Sequence, residues 1–109
     1  MSDSFFISLT APDYEAVATR EAVALAAAEA DCLELRVDLL KSLETDDVVR
    51  QVSLLRRAAP ETPLLYTVRS VEHGGRFAGS EQQYVELNLL GLQLGAELLD
   101  VEPRLKTWQ

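Results

Sequence analysis

The chain has 109 residues and a mass of 12.1 kDa, which predicts a single domain or a part of one. It carries 10 Lys and Arg residues against 18 Asp and Glu residues, and a net charge of −8 argues against binding to a nucleic-acid backbone. The 48% hydrophobic content argues against disorder, the single cysteine excludes an internal disulfide framework and a cysteine-based zinc site, and no apolar run is long enough to span a membrane.

Apolar segments and helix-favouring segments alternate along the chain. Short apolar segments bounded by turn residues predict four strands, over residues 5–10, 32–38, 64–69 and 98–102. Alanine-rich or amphipathic segments between them predict three helices, over residues 14–30, 46–59 and 81–94. This βαβαβαβ order implies parallel strands joined by crossover helices.

Local signals refine the three predicted helices. The first has its apolar positions at near-helical spacing, at Ala16, Val17, Ala24 and Ala28. The second has one apolar face, made of Val48, Val49, Val52 and Leu55. At its start, Asp46 and Asp47 are expected to be an N-cap pair rather than metal ligands. Gly95 stands where a C-cap glycine belongs, and the pair Gly74 and Gly75 indicates a turn.

Charged residues interrupt three of the four predicted strands, at Glu34, Arg36, Asp38, Arg69, Asp100 and Glu102. Strands of a doubly wound sheet are covered on both faces and are usually apolar runs. Charges near the ends of successive parallel strands are more typical of a (β/α)8 barrel, in which they line the active site. A full barrel needs roughly 250 residues. The sequence therefore predicts an α/β fold that is the N-terminal half of a TIM barrel, with residues 1–109 as one partial domain. A self-contained four-stranded α/β module is the weaker alternative.

Three segments together are specific enough to indicate a family. They are Glu34-Leu35-Arg36-Val37-Asp38-Leu39-Leu40, Thr67-Val68-Arg69-Ser70 followed by Gly74-Gly75, and Asp100-Val101-Glu102, with Ile7-Ser8-Leu9-Thr10 in front of them. With these motifs the chain resembles type I 3-dehydroquinate dehydratase over the N-terminal half of that family's barrel. It is most similar to fungal forms, namely the dehydratase segment of the pentafunctional AROM polypeptide and the related repressor of quinate use.

The resemblance implies the dehydration of 3-dehydroquinate to 3-dehydroshikimate in shikimate or quinate metabolism. In the family, a lysine forms a Schiff base with the substrate ketone, a histidine acts as general acid and base, and no metal or organic cofactor takes part. Neither residue has a counterpart here, because Lys41, Lys106 and His73 fall at other positions. We therefore expect no catalytic residue in this chain and no activity from it alone.

The resemblance assigns substrate binding to Ser8, Glu34, Arg36 and Arg69, with His73, Asp100 and Glu102 as supporting candidates. Glu34 and Arg36 are two residues apart on one strand, so they point to the same side, where an acceptor beside a charged donor suits a polyol. The rigid fork of donors on Arg69 suits an oxygen-rich anion. Bacterial members have a glutamate before the Gly-Gly pair, where this chain has His73, and the fungal forms also differ there.

Simpler interpretations of the same residues remain open. Glu34 and Arg36 would also suit a structural ion pair, and Arg69 an exposed cation at the end of a strand. For His73 a solvated loop histidine is favoured over a catalytic role. Cys32 is expected to be a small buried residue. Trp108 is either an anchor for a partner or part of a frayed tail.

Two functions of different classes follow. The parent is either an enzyme of the shikimate or quinate pathway, or a transcription repressor that keeps the barrel as a sensor of quinate-pathway metabolites. An acidic residue stands where a signal peptide would be basic, which indicates the cytoplasm, or the nucleus for a repressor. The partner expected in the intact parent is 3-dehydroquinate or quinate, with no direct contact of this segment with nucleic acid or membrane. Because a half-barrel has two open sheet edges, we also expect a homo-oligomer, most simply two halves that close an eight-stranded pseudo-barrel.

Overall fold

The computed structural model describes residues 5–103 and contains, over that range, four strands that alternate with three α-helices. The strands are β1 (Phe6–Leu9), β2 (Cys32–Arg36), β3 (Leu64–Thr67) and β4 (Leu98–Asp100). The helices are α1 (Val17–Glu29), α2 (Thr45–Ala58) and α3 (Glu81–Gln93). The predicted order is confirmed, although every strand is shorter than expected. Lys106 and Trp108 lie outside the described residues.

The sheet has the strand order β1-β2-β3-β4, and every neighbouring pair is parallel. Right-handed crossovers between consecutive neighbours place successive helices on the same face of a sheet. The face that packs into the hydrophobic core carries Leu33, Leu35, Leu64 and Tyr66, which are at most 3% exposed. This singly wound arrangement is half of a (β/α)8 barrel, as predicted. No α-helix within residues 5–103 is long and apolar enough to cross a membrane.

Helix α2 buries the face that its sequence predicts. Val48, Val52 and Leu55 are at most 3% exposed, whereas Val49, predicted on the same face, is only partly buried. Arg56 and Arg57 lie in the last turn of the helix, where their charge interacts favourably with the helix dipole. The N-cap prediction is wrong in detail. Glu44 occupies the N-cap without a side-chain hydrogen bond, and the two aspartates lie in the first turn, where their charge still interacts favourably with the dipole.

The apolar positions predicted for α1 do not form its buried face. Val17 is 61% exposed, Ala24 and Ala28 are exposed, and Val23 is buried instead. Ala26 and Ala27 pack beside Val23 against the core. Alanine occurs on every side of this helix, so its spacing gives too little contrast to identify the packed face.

Helix α3 begins and ends as its sequence predicts. Ser80 accepts a hydrogen bond from the backbone N–H of Gln83, whose side chain accepts one from Ser80 in return, so the two form a capping box. Gly95 follows the C-cap with a φ of 82°, a left-handed conformation that favours glycine. Tyr66 is fully buried beneath α3 and donates to the carbonyl oxygen of Leu87 over 2.8 Å.

Candidate functional site

Polar side chains meet at the carboxyl ends of the strands, on the face of the sheet that the helices leave open. Because side chains alternate between the two faces of a strand, one set shares this open face. It consists of Ser8 on β1, Glu34 and Arg36 on β2, Thr67 on β3 and Asp100 on β4. Arg69 follows β3 and reaches the same group of side chains.

The carboxylate of Glu34 is the centre of this group. Ser8 Oγ donates to its Oε1 over 2.5 Å, and Thr67 Oγ1 donates to its Oε2 over 2.7 Å. Arg69 Nη2 lies 4.0 Å from Oε2, and the Glu34 side chain is 13% exposed. One hydroxyl from each neighbouring strand therefore orients the carboxylate, and Arg69 provides a positive charge beside it.

Arg36 does not form an ion pair with Glu34, which was the simpler interpretation of these two residues. Its Nε and Nη2 instead donate to the two carboxylate oxygens of Asp38, over 3.0 and 2.8 Å. The change follows from the end of β2. Val37–Leu39 forms a 3₁₀ turn rather than continuing the strand to Asp38.

Asp38 has a side chain with no exposed surface. It also accepts from the backbone N–H groups of Arg69 and Arg76, over 3.1 and 3.0 Å. Burial alone would raise the pKa of this carboxyl, but the hydrogen bonds from Arg36, Arg69 and Arg76 outweigh burial and hold its pKa below the usual value. Neither Asp38 nor Thr67 was among the predicted site residues.

Arg69 is held in place rather than free at the end of its strand. Its Nη2 donates to Asp100 Oδ2 over 2.9 Å, and its side chain is 31% exposed. The turn predicted at the glycine pair is confirmed, since Gly74 has a φ of 89°. A Cβ at Gly75 would overlap the carbonyl oxygen of Arg69, so the loop can fold back on this arginine only with glycine there.

Glu102 and His73 lie at the side of this group. Glu102 is 7% exposed, and its carboxylate accepts from the backbone N–H of Ser70 over 2.8 Å. His73 Nε2 lies 3.9 Å from Glu102 Oε1, and its side chain is 41% exposed. Glu102 therefore anchors the segment after β3, and His73 has the exposure expected of a loop histidine.

Other candidate residues lie elsewhere. Lys41 is a surface residue whose Nζ is 3.1 Å from Asp13 Oδ2. Cys32 is buried, as predicted. Within residues 5–103, no group of three or more His, Cys, Asp and Glu side chains could hold a metal ion.

Comparisons with known proteins agree with the half-barrel fold. The family model of type I 3-dehydroquinase matches residues 5–107. The pentafunctional AROM polypeptide of Malassezia globosa is 43% identical over 94% of this chain, and that of Candida tropicalis is 37% identical over 88%. The chain spans 6% of the length of each polypeptide.

Solved structures give the same relationship. The type I 3-dehydroquinate dehydratase of Clostridium difficile has a TM-score of 0.79 and 28% identity, and the match covers 90% of this chain and 39% of that one. For the 3-dehydroquinate dehydratase of Geobacillus kaustophilus the TM-score is 0.78 and the identity 25%, with 92% and 40% covered. The chain therefore corresponds to about two fifths of these solved barrels.

Proposed function

Since this chain belongs to the type I 3-dehydroquinase family and resembles a segment of AROM polypeptides, we propose that it binds 3-dehydroquinate as the N-terminal half of a dehydratase barrel. The observation that carries this proposal is the Glu34 carboxylate, which two hydroxyls orient on the open face beside Arg69. The proposed binding residues are Ser8, Glu34, Arg36 and Arg69.

The donors and acceptors in this group suit a hydroxylated cyclic acid. An ionised carboxylate has about four lone-pair sites, and the two hydroxyl groups use two of those on Glu34, which leaves room for substrate hydroxyls. Arg36 uses Nε and Nη2 for Asp38, so its Nη1 group remains to donate to a ligand. Arg69 provides further donors for the ligand's oxygen atoms.

We propose that this chain alone does not dehydrate its ligand. The resemblance implies that members of the family use a lysine to form the Schiff base and a histidine to move the proton. Lys41 is paired with Asp13 at the surface, and His73 ends the short 3₁₀ helix Val71–His73 that follows β3, so neither matches those roles. The AROM relatives support an enzyme as the parent. A metabolite-sensing repressor is the alternative. It would be favoured if the intact parent bound the ligand without converting it. The cytoplasmic location stays a prediction.

Titration of ¹⁵N-labelled protein with 3-dehydroquinate tests the binding proposal, with quinate as a second ligand. We expect saturable shifts of the resonances of Glu34, Arg36 and Arg69. Arg69→Met should weaken binding about tenfold, because it removes a charged hydrogen-bond donor. Arg50→Met is the matched control, since it removes an arginine that pairs with Glu15 at the surface. The absence of saturable shifts, or equal affinity of R69M and wild type, would contradict the proposal.

We also propose that another polypeptide covers the open face, most simply a second copy of this chain. Phe6 and Leu98 share that face with Glu34 and are each 49% exposed, at the two edges of the sheet. A layer inside a (β/α)8 barrel contains four side chains from alternate strands. Four strands supply two of them. A two-fold axis along the axis of the closed barrel would supply the other two and place β4 beside β1 of the second copy.

A further inference from the structure

Asp38 connects parts of the site that are far apart in sequence. Its Oδ1 accepts from Arg36 Nε and from the backbone N–H of Arg69, and its Oδ2 accepts from Arg36 Nη2 and from the backbone N–H of Arg76. One buried carboxylate therefore holds a side chain from the end of β2 and two points of the loop that follows β3.

These four donors account for the accepting capacity of the carboxylate. An ionised carboxyl group offers about four lone-pair sites. The side chain also has no exposed surface, so Asp38 is not placed to contact a ligand itself. Any influence it has on binding must act through the groups that it holds.

The loop from Arg69 to Arg76 is closed at this carboxylate. The N–H of Gly75 donates to the carbonyl oxygen of Ser70 over 2.8 Å, and the N–H of Phe77 donates to the carbonyl oxygen of Arg69 over 3.0 Å. With the two hydrogen bonds to Asp38, these contacts fix the backbone from which the Arg69 side chain extends.

We propose that Asp38 is a positioning residue. It sets the direction of the Arg36 guanidinium and fixes the base of Arg69, so that both cations are presented to the same ligand. The part of this inference that concerns the ligand rests on the proposed function, and the part that concerns the loop does not.

The test is Asp38→Asn, compared with Asp13→Asn, which removes an aspartate that pairs with Lys41 at the surface. In D38N an amide N–H₂ replaces one of two accepting oxygens, so it faces donors from Arg36 and the backbone. We expect the affinity for 3-dehydroquinate to fall about tenfold, as for the loss of one charge-assisted hydrogen bond. We expect amide hydrogen exchange at Arg69 and Arg76 to accelerate about tenfold relative to Leu35 and Tyr66 in the same sample. D13N should change neither quantity.

Each result of this experiment decides something different. Equal acceleration at all four amides would mean that Asp38 only stabilises the fold, and that would overturn the proposal, as would unchanged exchange at Arg69 and Arg76. Failure of the wild-type chain to bind would contradict the proposed function, while the exchange comparison would still decide the role of Asp38. If D38N does not fold, amide hydrogen exchange of the wild-type protein tests the role of Asp38. Exchange at Arg69 and Arg76 that is as fast as at the exposed Ala78 would overturn the proposal.

Discussion

The carboxylates of Glu34 and Asp38 differ in how many of their hydrogen-bond acceptor sites are still available to a ligand. Two hydroxyls hold Glu34, one on each oxygen, so this carboxylate keeps accepting capacity. Asp38 is filled by four donors from Arg36 and the backbone. The two carboxyl groups are chemically alike, so the difference comes from the number of hydrogen-bond donors around each of them. Glu34 is consequently the one of the two that suits direct contact with a ligand, and Asp38 suits support.

The hydroxyl groups that hold Glu34 should differ in their effect on stability. Thr67 is 1% exposed, whereas Ser8 lies in an exposed position of β1. Thr67→Val leaves a partly buried carboxylate oxygen of Glu34 without its hydroxyl donor and should lower the free energy of unfolding by about 1–2 kcal/mol. Ser8→Ala should cost less, because water can replace the lost donor. Urea unfolding of both variants measures the difference, and a larger loss in S8A would contradict this description of the site.

The pH dependence of stability should reveal the contact between Glu15 and Arg50. Arg50 donates to both carboxylate oxygens of Glu15 over 2.6 and 2.7 Å, and this hydrogen bonding, with help from Gln51, lowers the pKa of Glu15 to about 2. An unfolded glutamate has a pKa of about 4.3. The stabilisation should therefore be present above that pH and be lost as the pH falls toward 2.

Urea midpoints of Glu15→Gln and wild type check this prediction. The variant should unfold at a lower urea concentration at pH 6, and the two midpoints should converge as the pH falls below about 2, where the wild-type carboxyl also becomes neutral. Glu21→Gln, at an exposed position of α1, is the control and should show no converging difference. A difference for E15Q that stays constant across this range would mean that the charge of Glu15 is not involved.

At the scale of elements, the sequence predicted the buried face of a helix where apolar residues alternate with charged ones, and failed where alanine occurs on every side. The valine and leucine face of α2 stands against charged residues, so its spacing identified the buried side, whereas the alanines of α1 did not. The period-two pattern of β2 continues to Asp38, but the chain turns at Val37 and the carboxylate meets backbone N–H groups more than 30 residues away. Thr67 was missed because threonine is an ordinary strand residue, and its proximity to Glu34 depends on strand register.

The packing of α3 on the sheet gives a prediction at this scale. A Cβ at Gly91 would lie 2.7 Å from Tyr66 Cδ1, and that ring is fully buried. Gly91→Ala should lower the free energy of unfolding by about 1–3 kcal/mol through overpacking, despite the better helix propensity of alanine. Val85→Ala, at a position of the same helix that is 51% exposed, should cost less. Thermal unfolding compares the two variants, and a stabilised G91A protein would show that α3 can move away from the sheet without penalty.

At the scale of the whole molecule, the family resemblance anticipated the half-barrel, and it also identified the motifs that carry the site. The strand charges already favoured a barrel over a doubly wound sheet, and the helices do lie on one face. The side-chain pairings within the site could not be predicted from the sequence. Arg36 pairs with Asp38 and Arg69 with Asp100, and these pairings depend on where the backbone turns after β2 and β3.

The open face leads to a prediction about association. An unpaired parallel edge with exposed apolar residues favours contact with another chain, so we expect the purified protein to form dimers at micromolar concentration. Phe6→Asp and Leu98→Asp should weaken that association, because each places a charge on the open face. Leu25→Asp, at a position of α1 that is 73% exposed, is the control. Light scattering coupled to size-exclusion chromatography gives the mass, and a monomeric wild-type protein would contradict the prediction.

The most direct measurement is a dehydration assay run on the same sample as the 3-dehydroquinate titration. The central claim is that this half-barrel binds the substrate of its family without converting it. The enone absorbance of the product reports turnover, while the resonances of Glu34, Arg36 and Arg69 report binding. We predict saturable shifts and no product above the rate without protein. Product formation, or a spectrum that stays unperturbed up to the highest 3-dehydroquinate concentration in the titration, would contradict the claim.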